Sequence, residues 1–339
     1  MSAITVPVID IAAFRDGDAA TRQRVARAFG DAFETVGFAT IVGHGVDEGV
    51  IAQTWAQAHG FFRLPFSEKT RCMLPLRDKT HGYIPVGVES VSGTLGDETP
   101  PDLCEALVVQ GLRFEQSPPT NPVDMQFQKS NLWPERPAGL RASFTDYYWS
   151  MEALTQTLMR MSALALDLPE DWFADKYDRF SGTLRAVLYP EQPETPEDGQ
   201  LRYGAHRDYG GLTILRQDDA PGALQVCLPD GEWIDVRPVD GAFVINVGDL
   251  LARWTNDRWI STLHRVVNPP RDIAASTATR RLSLVYFTGP NRDAMVECLP
   301  TCRGAGRPAK YPPVRAIDHV LGKIHAAMLD DDRAQVVAR

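Results

Sequence analysis

Apolar positions along this chain change their period near residue 180. Ahead of that point they recur mostly at helical steps, and beyond it they come in short alternating or β-branched bursts. Ile9 to Phe14 reads as extended, and Ala20 to Thr35 repeats Val25, Phe29 and Phe33 at helical spacing. Gly37 to His44 predicts a short strand closed by glycine, and Val50 to Phe62 a second helix. From His81 to Pro137 glycine, proline, aspartate and threonine accumulate, with Thr99-Pro-Pro101 and Ser117-Pro-Pro119 among them. That composition favours extended and loop conformations over helix, and long loops of this kind often carry binding groups. Leu140 to Leu166 then places Phe144, Tyr148, Met151, Leu154, Leu158 and Met161 at steps of three and four, a long helix whose stripe is core. After it come strands at Thr183 to Tyr189, Leu212 to Leu215, Leu224 to Leu228, Trp233 to Val236, Ala242 to Val247, Leu263 to Val267 and Arg281 to Phe287. So many short strands with turn residues between them predict a sandwich or barrel. A last helix is expected from Val314 to Leu329, with fraying beyond it.

Length and composition narrow the class. The 339 residues suffice for one large domain or two ordinary ones, and 44% apolar with 23% charged residues is ordinary globular usage. A formal charge of −9 provides no basic surface for phosphate backbones, which argues against a nucleic-acid partner. Five cysteines, Cys72, Cys104, Cys227, Cys298 and Cys302, are odd in number and lack zinc-like spacing, as expected of reduced thiols. No apolar run reaches membrane-spanning length and the N-terminal residues show no basic leader, so a soluble cytoplasmic protein is expected, a monomer by preference.

The stretch His206-Arg207-Asp208 raises the question of chemistry. On a strand, residues two apart share a face, so an imidazole and a carboxylate would stand side by side with Arg207 turned away. Alone, such a triplet is a solvated turn more often than a metal site. His264, within its own strand-like segment, is the histidine that fits as a third ligand; His44, His59, His81, His319 and His325 lie outside the β-rich region. Two imidazoles and one carboxylate suit a non-haem ferrous oxygenase, and zinc remains open on ligand type. Alternation along Arg280 to Phe287 sends Arg281 and Ser283 to one face, where a guanidinium and a hydroxyl can grip a carboxylate, with Tyr189 as a further donor. The alternative for the two arginines is a solvated edge strand.

These residues, together with Pro7-Val-Ile-Asp10, Val36-Gly-Phe38, Gly43-His-Gly45, Asn246-Val-Gly-Asp249, Trp254-Thr-Asn256 and the Ser-x-x-His-Arg-Val setting of His264, follow a familiar order. The chain resembles the isopenicillin-N-synthase-like group of iron(II)/2-oxoglutarate-dependent oxygenases over most of its length. The resemblance implies an α+β fold that is mainly β: a double-stranded β-helix, or jelly roll, with an α/β N-terminal region and packed helices. It divides the chain into an N-terminal region (1–125), a helical segment (126–178), the jelly-roll domain (179–290) and a C-terminal helical segment (291–339). It implies Fe(II) held by His206, Asp208 and His264, and 2-oxoglutarate held by Arg281, Ser283 and Tyr189. O2 would then drive hydroxylation, desaturation or cyclisation of a small molecule, with release of succinate and carbon dioxide.

Two departures keep alternatives open. Val187 stands where plant members often have asparagine, and the Arg-x-Ser pair also occurs in relatives that bind their substrate's own carboxylate with it. An isopenicillin-N-synthase-type oxidase that needs no 2-oxoglutarate is therefore the first alternative, and a non-catalytic jelly-roll binding protein the second. His81, Tyr83 and Phe287 are candidate substrate contacts. His44 is expected to be a structural turn histidine, Asp249 a turn carboxylate accepting backbone N–H groups, and Asp102 and Glu105 ordinary loop charges, with pairing to basic groups in the pocket wall as the alternative. The loops show no decisive charge pattern, which suggests a neutral, apolar or amphiphilic substrate.

Overall fold

The computed structural model describes residues 4–75, 81–96, 99–127, 129–192, 194–274 and 278–328. Its strands are β1 (Val8–Asp10), β2 (Phe38–Val42), β3 (Gly82–Ile84), β4 (Glu105–Gln110), β5 (Thr183–Tyr189), β6 (Tyr203–His206), β7 (Leu212–Gln217), β8 (Leu224–Cys227), β9 (Trp233–Asp235), β10 (Phe243–Val247), β11 (His264–Val266), β12 (Arg281–Phe287), β13 (Met295–Val296) and β14 (Val314–Arg315). Eight of them form one sheet in the order β1-β2-β10-β7-β12-β5-β4-β3, four form a second in the order β6-β11-β8-β9, and β13 pairs with β14. Apart from the parallel β1/β2 pair, the ladders are antiparallel. The two larger sheets enclose the jelly-roll interior, where Phe38, Val108, Val187, Tyr189 and Val244 of one meet Leu224, Val226 and Val266 of the other.

The opposite face of the eight-stranded sheet is covered by helices, because its strands are apolar on both sides. Ile41, Leu107, Leu184, Ile214, Ile245 and Leu284 pack there against Phe29 and Phe33 of the Ala19–Thr35 helix, Phe61 of the Glu48–Phe62 helix, and the stripe of the Leu140–Ala165 helix. Two aspartates fix where the first two of these helices begin. Asp18 accepts the Thr21 N–H at 2.8 Å and Asp47 accepts the Gly49 N–H at 2.6 Å.

Three expectations are corrected. The extended reading of Ile9 to Phe14 fails after Asp10: its carboxylate takes the Ala12 N–H at 2.9 Å and the chain turns into a short helix, Ala12–Asp16, that buries Phe14. The stretch His81 to Pro137 is extended at β3 and β4, which join the main sheet, but against expectation it also forms two short helices, Leu112–Gln116 and Pro122–Gln126. Glu105 to Gln110 shows no alternation because both faces of β4 are covered. The last described helix runs Ala316–Met328; Leu329 and the expected frayed end lie outside the described residues.

Candidate metal centre

The smaller sheet brings the two distant histidines together. β6 and β11 pair antiparallel with His206 and His264 directly opposite, and their ring centroids are 4.1 Å apart. Each imidazole donates from Nδ1 to the carbonyl two residues earlier in its own chain, His206 to Gly204 at 2.9 Å and His264 to Thr262 at 3.0 Å. That bond fixes the tautomer and leaves each Nε2 lone pair aimed inward. Asp208 Oδ1 lies 3.6 Å from His206 Nε2 and 3.8 Å from His264 Nε2.

The aspartate reaches this position differently from the sequence expectation. β6 ends at His206, so Asp208 is not two residues along the same strand but in the turn that follows. The turn is tied to the start of the Asp249–Trp254 helix: the Asp249 N–H donates to Asp208 O at 2.7 Å, and the Leu250 N–H to Tyr209 O at 3.2 Å. Gly248 permits this approach, since a Cβ there would sit 2.5 Å from the Gly210 carbonyl. Thr213 Oγ1 and Asn246 Nδ2 both donate to Asp208 Oδ2 at 2.6 Å, which turns Oδ1 toward the imidazoles.

Electrostatics favour a cation here. Burial opposes ionisation of Asp208, yet His264, His206 and the Asn246 and Thr213 hydrogen bonds together hold its carboxyl below the usual range. Burial, and then the neighbouring His264, push the His206 imidazole down and keep it neutral. The ligand atoms of His206, Asp208 and His264 lie within 4.8 Å of one another in a buried cluster. Two imidazole nitrogens and one carboxylate oxygen converge, a donor set that fits a divalent metal with open positions.

Deeper in the jelly roll, Arg281 of β12 stands opposite Tyr189 of β5, its guanidinium 5.4 Å from the ring centroid. It donates to Ser283 Oγ at 2.7 Å and Gln217 Oε1 at 2.6 Å, and is 2% exposed. A solvated edge strand is thereby excluded, because β12 lies between β5 and β7. A second buried arginine, Arg202, lies 6.0 Å from the Tyr189 centroid and donates to the Pro221 and Thr279 carbonyls. Gln217, Arg202, Thr213 and Asn246 were assigned no role from the sequence. Alternation along β7 and β10 puts Thr213, Gln217 and Asn246 on the interior face, a signal that was available.

The other candidates separate. Phe287 shares the interior face of β12 with Arg281 and Ser283 and lies opposite Thr213, which bonds Asp208. His81 is buried in the wall, Nε2 donating to Ser130 O at 3.0 Å and Nδ1 facing Gln110 Nε2 at 3.3 Å. The structure does not bring Tyr83 to the interior face. Gly82 and Ile84 have the interior parity on β3, so Tyr83 points to the helical side, packs on Phe61 and donates to Glu105 Oε2 at 2.6 Å. Glu105 is no loop charge either: it is buried on β4 and paired with Lys69 at 2.5 Å. Asp102 is equally buried and accepts the Val91 and Gly204 N–H groups, each at 2.9 Å. Asp249 pairs with Lys323 at 2.5 Å and makes no capping bond to a backbone N–H. His44 accepts the Val46 N–H at 3.1 Å and donates to Gly241 O at 2.8 Å.

Comparison with known proteins gives consistent results. Residues 6–136 match the model of the non-haem dioxygenase in morphine synthesis N-terminal region, and residues 177–290 that of the 2OG-Fe(II) oxygenase superfamily. The chain is 31% identical over 326 residues to the 2-oxoglutarate-Fe(II) type oxidoreductase hxnY of Emericella nidulans, covering 95% of this chain and 90% of that protein. It is 33% identical over 311 residues to a homoarginine-6-hydroxylase of Oryza sativa, covering 89% and 88%. Among solved structures, a full-length Neurospora crassa protein in complex with alpha-KG superposes with a TM-score of 0.80 at 27% identity, over 96% of this chain and 97% of that one.

Proposed function

This chain belongs to the 2OG-Fe(II) oxygenase superfamily, and from that premise we propose which of its residues perform the reaction. The protein is an iron(II)- and 2-oxoglutarate-dependent oxygenase acting on a small molecule, with O2 as co-reactant. The observation that carries the residue assignment is the convergence of three buried donor atoms from β6, the turn after it and β11. His206, Asp208 and His264 would hold Fe(II), and Arg281 with Ser283 would hold the distal carboxylate of 2-oxoglutarate, with Tyr189 against the guanidinium. Iron, 2-oxoglutarate and O2 together supply the oxidant for an unactivated C–H bond, with succinate and carbon dioxide as the other products.

What the chain itself contributes is placement. The two Nδ1–H bonds orient both imidazoles with Nε2 inward, and Thr213 with Asn246 fixes the carboxylate. Arg281 offers a charged fork that Gln217 and Ser283 already hold buried and oriented for the cosubstrate's carboxylate. Phe287, on the interior face opposite Thr213, is the substrate contact we retain. Hydroxylation is the proposed outcome, supported by relatives named for it, among them a homoarginine-6-hydroxylase and a proline hydroxylase. Isopenicillin-N-synthase-like architecture and a cytoplasmic site are part of the same reading, the latter supported by five free thiols. No helix among the described residues is long and apolar enough to cross a membrane.

Succinate release tests the assignment. Purified protein with Fe(II), ascorbate, O2 and 2-oxoglutarate should form succinate, and His206→Ala or Asp208→Ala should remove it. Equal succinate from either variant would refute the triad.

A further inference from the structure

The jelly-roll interior carries one charge pair that neither the triad nor the Arg281 site uses. Arg185 of β5 stands opposite Val108 of β4 and Val285 of β12, so its side chain enters the space between the sheets, as Val187 and Tyr189 do. Its guanidinium grips Glu89 through two nitrogens, Nη1 at 3.3 Å and Nη2 closer, and lies 5.5 Å over the ring of Tyr203. That ring is in turn 4.9 Å from the His206 imidazole, centroid to centroid. One aromatic ring therefore separates the pair from a metal-ligating residue, and the pair borders the space in which a substrate would approach the metal.

Glu89 is held in place. Its carbonyl accepts the Asp102 N–H at 2.8 Å, and two residues on, the Val91 N–H donates to Asp102 Oδ2 at 2.9 Å. The other Asp102 oxygen takes the Gly204 N–H on β6, so the backbone around Glu89 is clamped to the strand that carries His206. The Arg185 and Glu89 side chains keep 12% and 21% of their surface, and Arg185 Nε is buried without a hydrogen-bond partner.

A lone buried arginine selects an anion. An arginine already matched by a clamped carboxylate turns away a second carboxylate through Glu89 and a lone ammonium through itself. It accepts a group in which a donor and an acceptor stand side by side with no net charge. We propose that Arg185 and Glu89 read such an edge on the substrate: an amide, lactam or imide, or the zwitterionic end of an amino acid. The substrate N–H or ammonium donates to Glu89, and its carbonyl or carboxylate accepts from Arg185. This replaces the apolar or amphiphilic substrate that the loop sequences suggest, and it rests on the oxygenase reading for the position of the bond attacked.

Four five-membered probes separate the cases: 2-pyrrolidinone (lactam), L-proline (zwitterion), cyclopentanecarboxylate (anion) and pyrrolidine (cation). Binding is read by calorimetry on the full chain loaded with Zn(II) and 2-oxoglutarate, so that no turnover is required. The lactam or the zwitterion should bind at least tenfold more tightly than both singly charged probes, and whichever leads names the edge. Glu89→Gln leaves the guanidinium uncompensated and should move the anion to first place. The proposal is overturned if either singly charged probe leads in the wild type, if neither neutral-edge probe binds, or if the order survives Glu89→Gln. Should that variant fail to fold, the wild-type order alone decides. An anaerobic visible band from Fe(II) and 2-oxoglutarate, measured separately, tests the oxygenase reading, so failure of one leaves the other standing.

Discussion

Asp208 divides its work between its two oxygens, and the division depends on residues that touch no ligand. Oδ2 is taken by Thr213 and Asn246 while Oδ1 faces both imidazoles. Removing either donor frees the carboxylate to rotate and removes a bond that favours its charged form. Thr213→Val and Asn246→Ala should each weaken divalent-metal binding by roughly 10- to 100-fold, read by Zn(II) or Fe(II) titration, without unfolding the protein. Unchanged affinity in both would mean that the backbone of the turn alone orients Asp208. Asp102 supplies a pH test at the same scale. Burial pushes its carboxyl up to about 7, against the Val91 and Gly204 N–H bonds that favour the anion. An acid whose pKa is raised on folding stabilises the fold while protonated, and that contribution is lost as pH rises from about 4 to about 7. Metal-free wild type should therefore lose stability relative to Asp102→Asn across this window, by at most about 4 kcal/mol, in denaturant midpoints taken at pH 4.5 and pH 8. A pH-independent difference between the two would show that Asp102 is not perturbed.

At the scale of elements, the site is a strand pair and a turn held by a helix start. Pairing of β6 with β11 makes residues 58 positions apart in sequence (264 − 206) into direct neighbours. His206, Asp208 and His264 were legible because the residue types that bind metal are few and β11 has a plain β pattern. The route taken by Asp208 is not legible: β6 ends two residues before it, and what holds the turn is a backbone bond from Asp249. Strand β4 was missed for a different reason. A strand covered on both faces shows no alternation, and the glycines and prolines around it dominate the composition of that stretch. The face that Tyr83 takes depends on the register of a three-residue strand, which the sequence pattern does not set. Glu105 reads as a loop charge in the sequence but forms a buried pair with Lys69, with Tyr83 donating to the same carboxylate. Lys69→Met should cost about 3–5 kcal/mol in chemical denaturation, since it strands a buried carboxylate, while Lys69→Met with Glu105→Leu should recover most of that loss. Equal stability of the single variant and wild type would contradict the burial.

At the scale of the whole molecule, one sheet serves two cores. Its helical side is an apolar layer that the periodicity of the Leu140–Ala165 helix announces, and its inner side collects the polar residues of the site among apolar ones. The N-terminal third is more than a preface to the jelly roll, because β1 to β4 are half of the eight-stranded sheet. Metal and cosubstrate bind between elements from distant parts of the chain, so they should stabilise the entire fold: at a hundredfold excess over the dissociation constant, about 2.7 kcal/mol for each ligand. The central claim is that His206, Asp208 and His264 bind iron in a way that admits 2-oxoglutarate beside it. Its most direct test is an anaerobic titration of the purified protein with Fe(II) in the presence of 2-oxoglutarate, followed by visible absorbance. One equivalent of iron should saturate a weak charge-transfer band in the wild type, with no band in Asp208→Ala or without 2-oxoglutarate. A wild-type protein that binds iron but shows no such band, or an Asp208→Ala variant that keeps it, would contradict the account.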